Sequence, residues 1–552
     1  MRPVLLFAAV ALGWVGGCVP EPEPLPLEEA ADSLSLETFL AHMEVLSSDA
    51  MAGRMPGTPG YDSAAAYVVR EARALGLEPG GVDGTWLQPI TFRRLELDPG
   101  AVRLSVEGEP LRLGPDFSVM TSRMPVEVEL DAPLVFAGYG IHAPELGHDD
   151  LAGVEVEGKL VLVLPGAPVG LGSVERAVLP SAAVRDAELR ARGAVGTILA
   201  WPEEGARRST PWATMARSWA RPGLRWLPPG AVASEEEADA GTLPALAVPQ
   251  RVAAAWMADV GRDFETVRSR LRSGAPSSFD LDLRARLSAR MESETFESPN
   301  VAALLPGADP RLADEHLVLT AHLDHVGVGI PVGGDSIYNG TLDNASGSAA
   351  LLTLASVLTR MEPPRRSVLF LWLTAEESGL LGSDYFARFP TVEESGGRVV
   401  ATQNMDGVMG MITEASDVLA FGYEHSNLSE AVDFAVARTG TPVSPDPTPE
   451  ENLIIRSDQY AFVRQGIPAI WVQSGRTAAD PGEDAQARLD RWIAERYHRP
   501  ADDLAQPVDR DGVRTELRTN LLVTHWIANG MDEVRWDPES FLYRLFAEGR
   551  ER

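Results

Sequence analysis

The segment Phe370–Ser383 reads FLWLTAEESGLLGS. An apolar run delivers the chain into two adjacent carboxylates, Glu376 and Glu377, and then into a small, glycine-containing stretch. Such a run, bounded this way, reads as a buried strand that ends in a loop. On its own the acidic pair is an ordinary solvated loop. Working outward, the same pattern returns. EHLVLTAHLDH (315–325), VVATQNMDG (399–407) and IPAIWVQSG (467–475) are strand-like. Between the strands lie segments with helical character: NASGSAALLTLASVLTRM, GLLGSDYFARF, NLSEAVDFAVART and SDQYAFVRQG. This alternation predicts an α/β fold in which helices sandwich a mixed, mostly parallel central sheet. In such sheets ligands bind beyond the carboxyl ends of the strands.

The strand ends carry the chemistry. The first closes on His322, with Asp324 two residues on. NGTLDNASGSAA sets Asp343 in a glycine-bracketed turn before a helix. Glu376 and Glu377 end the next strand and Asp406 the one after. ERYHRPADD offers His498 far downstream. Imidazole and carboxylate are zinc donors, and a catalytic zinc keeps one position open. Two histidines with three carboxylates exceed the needs of one ion and suit two ions roughly 3.5–4 Å apart that share a carboxylate. No cysteine-rich spacing points to a structural zinc.

In order and spacing, HLDH, GTLDNASG, TAEESGLLGS, NMDG, RSDQYAFVRQGIPAI and YHRPADD resemble metallopeptidase family 28, the aminopeptidases and glutamate carboxypeptidases with two co-catalytic zincs. The resemblance implies two Zn2+ per chain. Asp343 would bridge them, with His322 and Asp406 completing one site and Glu377 and His498 the other. Glu376 would be the general base, passing a proton from a metal-bound water to the leaving amine. Asp324 would hydrogen-bond a ligand imidazole and fix its tautomer. The family pattern also implies a cis Asp343–Asn344 peptide. Asp458 and Tyr460 would bind substrate, with Tyr460 or Tyr497 steadying the oxyanion. Many relatives carry histidine where this chain has Gln459. The activity implied is aminopeptidase. A glutamate carboxypeptidase-like enzyme, with Arg456, Arg464 and Arg476 as an arginine cluster, is the alternative. So are a glutaminyl cyclase-like enzyme and a non-catalytic binding module on the same fold.

Other polar residues have plainer readings. His325 reads as a loop or supporting residue. His42, His316, His425 and His525 read as structural, and His142 and His148 as surface or packing residues. Asp502 and Asp503 sit where they could cap a following helix. Arg54, in AGRMPG, reads as structural support.

Length and composition bound the rest. The chain has 552 residues, too many for one ordinary core, and its 45% hydrophobic content is that of a globular protein. A net charge of -32 argues against nucleic acid or an anionic membrane surface as partner. The single cysteine, Cys18, excludes an intrachain disulfide. It ends the apolar stretch Pro3–Trp14 and VGGC, which resembles a bacterial lipoprotein signal. The resemblance implies a signal peptide at 1–17, lipidation of Cys18, and a Pro/Glu-rich tether over 18–33. The protein would be exported and held to the cell envelope by lipid alone. Val19 favours the outer membrane. Residues 34–124 read as the N-terminal part of the peptidase domain, and 286–535 as its catalytic part, followed by a tail at 536–552. The unit between, 125–285, resembles the β-rich protease-associated domain in VFAGYGI, DDLAGVEVEGKLVLVLPGAP and RARGAVGTIL. A peptide is the expected partner, and nothing in the sequence sets an oligomeric state.

Overall fold

The computed structural model describes residues 23–204, 211–230, 242–530 and 533–550. Cys18 and the acidic stretch 234–240 lie outside the described residues. Helix α1 (Leu27–Asp32) falls in the expected tether, yet its Ala30 and Ala31 are buried in the main core, and Arg518 pairs with Glu28 at 2.9 Å. Apolar residues at helical spacing therefore dock the second half of that segment. α2 (Leu36–Leu46) buries Phe39, Met43 and Leu46, and α3 (Pro59–Ala74) buries Ala65, Val68 and Ala72, as their helical periodicity predicts. Thr58 caps α3, accepting from the Tyr61 amide at 3.4 Å.

Strand β1 (Leu87–Leu97) leads into the second unit. There β2 (Glu127–Ala137), β3 (Leu160–Val163), β4 (Gly196–Trp201) and β5 (Ala245–Pro249) lie parallel in that order. Helices α4 (Ser173–Val178) and α5 (Ala182–Ala191) connect β3 to β4. The unit's strands read as continuous apolar runs because both faces of its sheet are covered.

β6 (Ser278–Leu305) joins the two units. Its first part pairs antiparallel with β2, and its second part with β1 from Met291↔Leu97 to Val301↔Leu87. The boundary read at 285/286 thus falls inside one strand. Beyond it, β7 (Glu315–His322) lies parallel to its neighbours β8 (Ser367–Leu373) and β9 (Arg398–Asn404), and β11 (Ala469–Ser474) lies parallel to β9. β10 (Val418–Phe421) closes the edge antiparallel to β11, and β6 runs antiparallel to β8. The observed order is β10-β11-β9-β7-β8-β6-β2-β3-β4-β5.

α6 (Gly347–Leu358), α7 (Leu381–Arg388), α8 (Ser429–Thr439), α9 (Gln459–Arg464), α10 (Ala485–Glu495) and α11 (Arg510–His525) belong to the part of the chain that forms this half of the sheet. α12 (Phe541–Phe546) lies in the expected tail but packs on the body. Phe541 and Leu542 are buried, and Trp536 Nε1 donates to the Gly466 carbonyl at 2.7 Å. Among the described residues no helix is long and apolar enough to cross a membrane.

The four parallel strands β7, β8, β9 and β11 carry the centre's core. Trp372 on β8 is fully buried, and its Nε1 donates to the Ser348 carbonyl of α6 at 3.1 Å. Trp372→Ala therefore removes a large core side chain and leaves that carbonyl unpaired. Its expected cost is about 3–5 kcal/mol, read as a lowered denaturant midpoint. An unchanged midpoint would show that this strand does not organise the core.

Candidate metal centre

All five predicted ligands meet at the carboxyl edge of the sheet. β7 ends on His322. β8 ends on Leu373, and a left-handed residue, Ala375 (φ 57°), turns the chain so that Glu376 and Glu377 follow at the rim. Asp406 follows β9 by two residues. Asp343 sits before α6, at a cis Asp343–Asn344 peptide, as the resemblance implied. His498 comes from the loop after α10.

The distances define two groups with one shared member. His322 Nε2 lies 3.3 Å from Asp343 Oδ1 and 3.3 Å from Asp406 Oδ1. His498 Nε2 lies 3.1 Å from Asp343 Oδ2 and 3.0 Å from Glu377 Oε2. Each oxygen of Asp343 therefore faces a different imidazole.

The donor set fits metal ions. His322 Nδ1 lies 3.1 Å from the Asp324 carbonyl oxygen. A carbonyl only accepts, so Nδ1 carries the proton and the Nε2 lone pair points at two carboxylate oxygens that also offer lone pairs. Such convergence is met either by a proton on Nε2, which the surrounding carboxylates favour, or by a metal ion in its place. Donors on a tetrahedral zinc at 2.0–2.1 Å stand roughly 3.4 Å apart, close to the separations seen here.

Burial and neighbouring charge set the protonation of the rim glutamates. Burial pushes the Glu376 carboxyl well up, and the charges of Asp406 and Glu377 add to this against His322. For Glu377, burial and Asp343 also push upward, but His498 and His325 overcome them and hold the group at about 2. Two neighbouring carboxyls are thus driven apart, one toward holding a proton and one toward staying ionised.

Three expectations are corrected. The Asp324 carboxylate does not hold the imidazole. Its backbone carbonyl does, while Oδ1 and Oδ2 accept from the Glu376 and Glu377 amides at 3.0 and 3.4 Å. Asp324 thereby fixes the Glu376–Glu377 turn. It is fully buried, which raises its carboxyl to about 7. Asp502 is not a local helix cap. It is buried and accepts from the Leu342 and Asp343 amides at 3.0 and 3.1 Å, so it clamps the turn that carries the shared carboxylate. Asp503 does act locally, accepting from the Ala505 amide. Asp458 and Tyr460 do not line the cavity at the centre. α9 turns Tyr460 into an apolar cluster with Val463 and Phe541, and Asp458 is fully buried, its carboxyl raised by burial to about 7.

Tyr497 is the tyrosine that reaches the cavity. Its ring stacks on His498 with centroids 3.9 Å apart. His325 donates from Nδ1 to Glu377 Oε1 at 2.6 Å and supports that carboxylate. Its Nε2 has no partner, and the ring nitrogens and oxygens of His325, Asp343 and Glu377 cluster within 4.8 Å.

Arg54 does more than its loop suggests. Fully buried, it donates to the carbonyls of Leu46 (2.6 Å), Asn339 (2.7 Å), Leu323 (2.8 Å) and Gly340 (2.9 Å). It ties the segments after β7 and before Asp343 to α2. Asn344 Oδ1 accepts from the amides of Gly347 and Gly407, linking the Asp343 turn to the Asp406 loop. Gln459 serves a framework role, accepting from Asn404 at 2.9 Å and donating to the Ile454 carbonyl at 3.0 Å.

The remaining histidines stand elsewhere. His42 bonds Tyr67, His316 the Asp314 carbonyl and His425 Ser540, while His525 faces Asn529. In the second unit His142 and His148 pair with Asp149 and Asp150, each at 3.1 Å.

A sandwiched, mostly parallel sheet whose strand ends converge this donor set defines a candidate metal centre. Residues 300–523 match the model described as Peptidase family M28. It is 26% identical over 254 residues to an aminopeptidase of Pseudomonas aeruginosa, covering 45% of this chain and 44% of that protein. Over 242 residues it is 26% identical to a probable leucine aminopeptidase 2 of Aspergillus fumigatus, covering 43% of this chain and 45% of the relative. The chain thus spans less than half the length of these curated relatives. The structure superposes on an aminopeptidase from Aneurinibacillus sp. strain AM-1 with a TM-score of 0.52 and 19% identity, covering 93% of this chain and 99% of that one. That likeness concerns the fold.

The clamp on Asp343 generates a test. Asp502→Ala frees the two amides that position the shared carboxylate. Zinc affinity, measured by chelator competition, is expected to fall about 10- to 100-fold while the circular dichroism spectrum is retained. Unchanged affinity would show that the turn holds without the clamp.

Proposed function

We propose that this protein is a dizinc aminopeptidase, exported and lipid-anchored through Cys18, that removes N-terminal residues from peptides. The observation that carries the reading is the sharing of Asp343, whose two oxygens each face the imidazole of a separate donor group at 3.1–3.3 Å. The matched relatives support the aminopeptidase assignment, since those named above carry that name. The export and lipid assignments rest on the sequence around Cys18.

His322, Asp406 and one oxygen of Asp343 would hold one ion. Glu377, His498 and the other oxygen would hold the second, with His325 bracing Glu377. The ions, when bound, supply Lewis acidity toward a carbonyl oxygen and lower the pKa of water. Glu376 is the carboxylate of the rim that no ligand role uses, and it lines the cavity beside Asp343 and Asp406. It takes a proton from the attacking water and returns it to the leaving amine. Its hold on a proton suits the second transfer, and Asp324 fixes its backbone for both. Trp471, Trp492 and Leu453 form apolar cavity walls that exclude bulk water.

Metal content by mass spectrometry, with turnover on aminoacyl anilides, tests the reading. The expected result is two zinc ions per chain in both wild type and Glu376→Gln, with kcat lowered by about 10²–10⁴ in the variant alone. Removal of the ions by chelator should abolish turnover, and zinc should restore it. One ion per chain would overturn the two-ion centre, and unimpaired turnover in Glu376→Gln would overturn the assigned base.

A further inference from the structure

The cavity beside the centre has a volume of about 230 Å3, below the roughly 300–1,000 Å3 of pockets for drug-sized ligands. Its acidic residues belong to the centre, and Trp471, Trp492, Leu453 and Ile493 give it apolar walls. Two guanidiniums, Arg456 and Arg476, also line it. In a chain with a net charge of -32 a cavity-lining arginine readily finds a carboxylate, and many arginines here have one. Arg464 pairs with Asp384 at 3.0 Å and lies outside the cavity. Arg476 is held by the carbonyls of Ser474 and Gly475 at 2.9 and 3.1 Å. Among the described residues the exposed Arg456 side chain, at the solvent side of the cavity, has neither an ion pair nor a hydrogen bond, although its base is well fixed.

The segment beneath Arg456 consists of two short turns, Pro449–Glu451 and Leu453–Ile455, joined at a left-handed Asn452 (φ 58°). Gln459 Nε2 holds the Ile454 carbonyl, and Ser457 Oγ accepts from Asn404 at 2.7 Å. From the second unit, α4 packs against both turns. The head is therefore free on a rigid mount. Two divalent ions would more than balance the ligand carboxylates Asp343, Glu377 and Asp406. The guanidiniums are then surplus positive charge in a small, partly apolar cavity.

We propose that Arg456 is a specificity-determining residue that binds a carboxylate of the substrate, with the second unit positioning it through α4. The inference rests on the hydrolase reading above. The carboxylate has two sources, the side chain of an acidic N-terminal residue or the free C-terminus of a short peptide. A charge-assisted, two-pronged contact of this kind is worth about tenfold or more in selectivity.

The test compares kcat/KM within two isosteric pairs on the zinc-loaded full chain: glutamyl- against glutaminyl-4-nitroanilide, and Leu-Leu against Leu-Leu-amide. The charged member of one pair is expected to be preferred by about tenfold or more, and that pair identifies the source. In Arg456→Gln the ratio should fall to near one at unchanged zinc content. Ratios near one in both pairs for an active wild type would overturn the inference and leave the hydrolase reading intact. A preference that survives Arg456→Gln would also overturn it. Absence of turnover on all four substrates counts against the hydrolase reading instead. Calorimetric binding of the same four compounds to Glu376→Gln then decides the inference on its own. Tighter binding of one charged member supports it, and equal affinities within each pair overturn it.

Discussion

Three carboxylates brought together in a crevice repel one another, and the fold is arranged to withstand that repulsion. Asp343, Glu377 and Asp406 come from three separate connections at the sheet edge, and two imidazoles stand between them at 3.0–3.3 Å. Burial alone would drive protons onto Asp343 and Glu377. Opposing charge keeps these two ionised, and bound metal would add to what the histidines supply. Much of the surrounding framework serves to hold backbone in place against this strain. Asp502 grips the Asp343 turn, Asp324 grips the Glu376–Glu377 turn, and Arg54 gathers four carbonyls from segments distant in sequence.

This division explains what could be read from the chain beforehand. Strands β7, β8 and β9 were legible because each is a largely apolar run with a side chain of metal-binding chemistry at its end or within four residues of it. The ligand residues were legible because donor type and position coincide. The supports were not, because a carboxylate looks the same whether it serves a neighbour or an amide far away. The following helix suggested a cap for Asp502, yet its partners are some 160 residues upstream. Asp324 illustrates the same point at short range. Its spacing from His322 suggested a side-chain contact, but the carbonyl took that role and freed the carboxylate for the next strand. Tyr460 was misplaced because α9 packs it into the apolar cluster of Val463 and Phe541, and Tyr497 lines the cavity instead.

The segments expected to be peripheral were also misread for a common reason. Proline and glutamate around α1, and the short charged stretch near α12, resemble tethers by composition. A few apolar side chains at the right spacing, Ala30 and Ala31 in one case and Phe541 and Leu542 in the other, are enough to dock them. Composition averages over such residues, whereas packing depends on where each one falls.

The strand β6 crosses from one unit to the other without a break between Met291 and Leu305, and its earlier half is laddered to β2. A hinge needs residues free to change φ and ψ, and paired strand residues are not free. At this crossing the two units therefore have no free joint, and a swing of the second unit there would have to break ladder hydrogen bonds. Access to the cavity falls to the side chains and loops at its mouth.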